Sequence, residues 1–188
     1  TPSVALLLEL SRDKNEIMRA KAAELLGLYP TDETRERLLD LFEDSDRFVR
    51  RKALEAVVRA QQQAPPDTVI PLLAADDRFE AWAARRLLEA SPAEQWRDTV
   101  LNSDQHRIFI HGALALLIAQ PSPENALAVL ERTSQLMTDF VSDRDFIDML
   151  RVVQVALLQG HIAPDRVETL RGQLADEFPA GDPLMNRE

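Results

Sequence analysis

The chain of 188 residues contains no cysteine. Disulfides, thiolate metal sites, a cysteine nucleophile and covalent haem attachment are therefore excluded within it. The compartment stays open, because a helical protein needs no disulfides either in the cytosol or in an oxidising space. Glycine is scarce at five residues, and aromatics make up 5%. There is no glycine-rich phosphate loop, nucleophile elbow or His-Glu metal motif, and no acid–base or nucleophilic constellation stands out from the surface carboxylates. Long apolar runs are also missing. The longest, Ile108 to Ala119, has 12 residues and contains His111 and Gly112, which is too short for a bilayer and suits a buried helix. A basic surplus is lacking too: the net charge of −10 argues against nucleic acid or an anionic membrane as the main partner, since both reward positive surfaces.

What is present is leucine, alanine and valine. At 45% hydrophobic and 29% charged residues, the composition is that of a folded protein rich in helix, where unbranched side chains keep their rotamers and alanine admits close approach. Residues 1–63 carry 11 Lys+Arg against 12 Asp+Glu, whereas residues 64–188 carry 11 Arg and no Lys against 20 acids. The acidity lies in the C-terminal two-thirds.

The stretch Leu38 to Gln63 reads as a helix, an acidic turn and a second helix, and it recurs. Ala22, Ala53 and Ala84 are 31 residues apart, as are Asn15, Asp46 and Asp77. The same offset aligns Ile17 with Phe48 and Phe79, Leu26 with Val57 and Leu88, and Leu8 with Leu39 and Ile70. Such a register predicts stacked two-helix repeats. Within it, Gly27-Leu28 with Pro30 reads as a left-handed helix cap and stop, and Thr31 as the N-cap of a helix from Asp32 to about Glu43. Ala64-Pro65-Pro66 is a rigid break inside the stack, and Ser91-Pro92-Ala93-Glu94 reads as a capped helix start. A fourth pair follows at an offset of 29 residues, with His106 where Asp46 and Asp77 fall. A longer helix from Ser122-Pro123 to about Phe140, another from Asp143 to Gln159 ended by Gly160, and a last one from Pro164 to about Phe178 complete the pattern. The expectation is one domain over 1–188, with regular repeats at 4–119 and longer, divergent helices at 122–178. Pro179–Glu188 reads as a connector, and with no initial methionine the chain reads as a piece of a longer protein.

The run Asp46-Arg47-Phe48-Val49-Arg50-Arg51-Lys52-Ala53-Leu54-Glu55-Ala56-Val57 resembles the second helix of a HEAT repeat: an acidic turn residue, a Val-Arg pair, then small and apolar residues at helical spacing. Asn15-Glu16-Ile17-Met18-Arg19 is similar, while Ala81 replaces the arginine in the third repeat. The resemblance covers 4–90 well, runs less clearly to 119, and is faint beyond. It implies an all-α fold, a right-handed α-α superhelix of about five helix pairs plus a final helix, used as a protein-binding scaffold lined by second helices. The tail Phe178–Glu188 with the long pair before it is similar to segments of large exported bacterial proteins that join HEAT repeats to a c-type cytochrome module, which would place such a parent in an exported or periplasmic setting.

Arg47, Arg50, Arg51, Lys52 and Arg59 form a basic cluster on one helix, suited to an acidic peptide or phosphate through forked contacts, or simply a solvated face balanced by Glu43, Asp44 and Glu55. With Arg85, Arg86 and Arg107 these are the candidate partner-binding residues. Asp46 and Arg50 are spaced for a turn-to-helix ion pair. His106 and His111, five apart, fall on different helix faces, against the spacing of three or four that single-helix zinc sites use. Asp143, Asp145 and Asp148 lack the glycine and terminal glutamate of a calcium loop, and Ser142 or Asp143 as an N-cap explains them. Trp82 and Trp96 read as core or inter-repeat packing. The expected function is a non-catalytic scaffold that binds a protein or a neighbouring domain, without cofactor, metal or small-molecule substrate. A structural spacer within a larger secreted enzyme or cytochrome-containing protein is the alternative. HEAT-like hydroxylases need His-Glu pairs and HEAT-like DNA glycosylases a basic groove, and neither is present.

Overall fold

Three acidic or amide side chains at the same repeat position start the three principal helices of the N-terminal half. In the computed structural model, which describes residues 2–178 (the side chain of Pro164 excepted), Asn15, Asp46 and Asp77 are all N-caps. Asn15 accepts from the Ile17 N–H at 2.8 Å. Asp46 accepts from Phe48 and Val49 at 2.9 and 3.1 Å, and Asp77 from Phe79 and Glu80 at 2.8 and 3.1 Å. Each satisfies backbone donors that the first helical turn leaves without partners.

The described residues form eleven α-helices joined by turns and short 3₁₀ segments, with no strand. Packing groups the chain into two compact units, Thr1–Pro92 and Ala93–Glu188. The first holds α1 (Val4–Leu10), α2 (Glu16–Leu26), α3 (Asp32–Asp40), α4 (Arg47–Arg59), α5 (Pro66–Val69) and α6 (Arg78–Glu89). Helices α2, α4 and α6 lie side by side, and each packs on the preceding first-layer helix. The second holds α7 (Arg97–Leu101), α8 (His106–Ala119), α9 (Pro123–Leu136), α10 (Asp143–Gly160) and α11 (Glu168–Glu177). There α8 packs beside α10, while α7 and α11 contact α9. Five pairs and one further helix are the units that the register predicts, built as HEAT-like α-α pairs.

The core follows the repeat. Ala22, Ala53 and Ala84 are buried, as are Leu26, Val57 and Leu88. Small side chains at one level and branched ones at the next let helices of one layer approach closely and still fill the space between them.

Several local expectations are corrected. Gly27 has φ −62°, a right-handed value, and is no left-handed cap. A Cβ there would lie 2.8 Å from the Ala56 Cβ and 2.9 Å from its carbonyl oxygen, so glycine is present for close approach to α4. Gly160 likewise closes α10 from within, where a Cβ would stand 2.3 Å from that of Ala126. The left-handed residue is His161, at φ 50°. Helix α3 ends at Asp40 and passes into a 3₁₀ turn at Leu41–Glu43. The Ser91–Glu94 signal yields only a 3₁₀ turn, Ala93–Gln95, before α7. Ser91 Oγ donates back to the Leu87 carbonyl at 3.0 Å. His106 is not the cap of α8; it is the first helical residue, after Gln105. Helix α9 stops at Leu136, where Thr138 and Asp139 make three-residue backbone bonds to Gln135 and Leu136 that tighten the last turn. The connector at Pro179–Glu188 lies outside the described residues.

Candidate partner-binding surface

The expected Asp46–Arg50 ion pair is replaced by a different contact. Asp46 is occupied by the backbone of its own helix, so Arg50 turns to the next repeat. It donates to Glu80 through Nε at 2.6 Å and Nη2 at 3.3 Å, and to the Asp44 carbonyl at 2.9 Å. The Glu80 side chain is 1% exposed. Arg19, one repeat earlier, donates both Nε and Nη2 to Asp44 at 2.8 Å. These arginines staple successive repeats, a job for which the planar fork of guanidinium is shaped. Arg107 does the same in the second unit. It donates to Asp145 at 3.1 Å and Asp148 at 2.6 Å, tying α8 to α10, and its Nη2 is 3.1 Å from His111 Nε2.

The remaining candidates stand on the α4 and α6 faces. Arg47 is exposed. Arg51 and Lys52 share Glu55 at 2.7 and 2.9 Å. The Arg51 guanidinium lies 4.4 Å from the Phe79 ring centre, Arg78 lies 4.6 Å from the same ring, and the Lys52 ammonium lies 5.6 Å from Phe48, all within cation–π range. Arg59 donates to the Glu24 carbonyl of α2. Arg85 and Arg86 both approach Glu89. Arg85 Nε and Glu89 Oε1 are 3.0 Å apart without the alignment of a hydrogen bond, so their attraction is purely ionic. The structure thus gathers Arg47, Arg51, Lys52, Arg59, Arg85 and Arg86 in the first unit. Arg50 is committed to Glu80, and Arg107 belongs to the second unit.

Sequence reasoning missed the apolar part of this surface. Ile17, Phe48 and Phe79 belong to the aligned apolar register, yet they are 64%, 45% and 43% exposed, and Trp82 is 45% exposed. Trp96, by contrast, is buried. The signal was available: Ile17 and Leu26 are nine residues apart, which at about 100° per residue sets them on opposite faces of one helix. One aligned set builds the core, so the other must face outward.

The carboxylates near these cations are held ionised. Burial alone would raise the Glu55 pKa, but hydrogen bonds from Arg51 and Lys52 more than offset it and leave it below the ordinary value. At Asp77, burial is outweighed by the Glu80 and Phe79 N–H groups and by the field of Arg51 and Arg47. Asp44 is lowered chiefly by Arg19. Depressions elsewhere are open. One of about 460 Å³ between α9 and α11 is lined by Leu130, Glu131, Arg166 and Glu168 among others, without the enclosed apolar floor of a small-molecule site. Among the described residues no three His or acidic side chains converge as metal ligands would, and no helix is long and apolar enough to cross a membrane.

Residues 4–89 match the family model for HEAT repeats. The chain is similar to the crystal structure of an engineered protein, a Northeast Structural Genomics Consortium target, with 16% identity and a TM-score of 0.48, covering 100% of this chain and 93% of that one. No curated protein matches.

Proposed function

We propose that this HEAT-repeat chain is a non-catalytic scaffold that binds a protein, or a neighbouring domain of a parent chain, along the face of α2, α4 and α6. HEAT repeats typically serve protein interaction. The observation that carries the reading is the pairing of exposed apolar side chains with cations on that layer, at positions repeated from helix to helix. Aromatic and arginine side chains are the groups that dominate protein interfaces. A stack of helices offers them on a continuous surface without a pocket.

Charge reversal tests it. Arg51, Arg59, Arg85 and Arg86 are changed to Glu one at a time, with the exposed Arg144 of α10 as control, and capture of the partner is measured. A loss of about tenfold in at least one variant, with helicity retained, is the expected outcome. Unchanged capture in all four removes this face as the site.

A further inference from the structure

The junction between the first two helix pairs shows what the outward end of the first pair is built to meet. The second pair, α3 and α4, touches the one before it at four places. Arg37 donates to the Ser11 hydroxyl and carbonyl at 2.8 and 2.7 Å, and the Asp44 carboxylate accepts from Arg19. Ala56 lies against Gly27, and Arg59 donates to the Glu24 carbonyl. The same four positions, 31 residues earlier, are Leu6, Asp13, Leu25 and Leu28. Leu6 is 44% and Leu28 57% exposed; Leu25 is half-buried and Asp13 exposed. Met18 is 40% exposed, whereas its equivalent Val49 is buried. Three leucines therefore stand where the internal junction has two arginines and an alanine. A stack that ends in water carries a polar terminal face. This face has the apolar make-up of a junction.

Asp13 repeats the polar half of that junction. It accepts the Asn15 N–H at 2.8 Å as Asp44 accepts the Asp46 N–H at 2.9 Å. Asp44 also receives a guanidinium from the preceding pair, whereas no ion pair joins Asp13 to a cation among the described residues. The charges around it balance, Arg12, Lys14 and Lys21 standing with Glu9, Asp13 and Glu16, so the face draws neither a polyanion nor a polycation. We propose that it seats one further helix pair of the same build, a neighbouring segment of a parent chain, which offers an arginine to Asp13 as Arg19 does to Asp44. Opposite Leu25 that pair carries a small residue, as Gly27 stands opposite Ala56, so the leucines fill the space between helices. Equivalent positions are already covered by such a pair once within this chain, and that precedent selects a repeat over an unrelated protein. The face differs from the one proposed above, and the inference is independent of that reading.

The test places a second copy of residues 1–31 ahead of the full chain, which keeps the 31-residue register. Circular dichroism should gain the helix of one more pair, and the urea midpoint should rise by roughly 1 M as the leucines are covered. Leu28→Ser and Asp13→Asn in the original pair are then compared with and without the added one. Asparagine keeps the acceptor that Asn15 uses, and Leu28 is already exposed. In the chain of 188 residues both changes should therefore leave the midpoint within about 0.2 M. In the extended chain each should lower it by about 0.5 M, and Arg19→Met in the added copy should remove the effect of Asp13→Asn. Absence of new helix, an unchanged midpoint, or equal effects of the variants in both chains overturns the proposal. Sedimentation that shows the original chain self-associating, with the association lost in Leu28→Ser, overturns it too, because a second copy then occupies the face. Partner capture by the α4 and α6 variants is measured separately, so either reading can fail alone.

Discussion

A single glycine can be present for the space it leaves or for no packing reason at all, and the two kinds respond oppositely to alanine. Gly27 faces the Ala56 backbone, with the position of a Cβ 2.9 Å from its carbonyl oxygen. Gly27→Ala should destabilise the fold by about 1–3 kcal/mol, as overpacking does. Gly172 lies inside α11, and a Cβ there would meet nothing within 4 Å. Gly172→Ala should stabilise by about 0.5–1 kcal/mol through helix propensity. Urea denaturation of the two variants checks both signs. Glu80 is the residue-scale counterpart in charge. Its carboxylate is buried against Arg50, so Arg50→Met leaves a charge without compensation and should cost roughly 3 kcal/mol. The Arg50→Met/Glu80→Met double variant should recover most of that loss, and a double-mutant cycle measures it.

At the scale of the helix, the caps carry the repeat. Asp46→Ala and Asp77→Ala should each cost about 1 kcal/mol in denaturant melts, because each leaves backbone donors of α4 or α6 without a partner. Helices and their starts are largely legible in the sequence, since a cap bonds to residues two and three ahead and the apolar spacing of a helix is equally local. Helix ends were less so. Gly27 and Gly160 look like terminators, but their role is set by Ala56 and Ala126, residues distant in sequence. The Ser91–Glu94 signal is locally sound, yet Trp96 is buried and separates the 3₁₀ turn from α7. Burial of a large ring outweighs a cap.

Across the whole molecule, acidity is the condition that should loosen the fold. Asp44, Glu24, Glu55 and Asp77 all have carboxyls below their ordinary values: Asp44 and Glu24 through bonds from Arg19 and Lys21, Glu55 and Asp77 against the opposing effect of burial. With folded pKa values depressed, the unfolded chain binds more protons. Their stabilisation is full above the ordinary carboxylate range near about pH 4 and is lost as pH falls through the lowered folded values. Thermal unfolding between about pH 6 and about pH 2 should show this decline. In Arg19→Met the slope should be shallower, because Asp44 returns toward its ordinary value.

The sequence by itself determined the period of 31 residues, the caps and the pairing of helices, because those depend on residues a turn or two apart. The tertiary structure decided what each aligned residue is for. Arg50 and Arg47 are three residues apart on one helix, yet one is a staple and the other makes no ion pair among the described residues, and the difference is Glu80, 30 residues away from Arg50. Ile17, Phe48 and Phe79 share the register of the core and face outward. A repeat fixes which residues are equivalent; only the packing of neighbouring helices fixes which equivalent set is covered and which is left exposed.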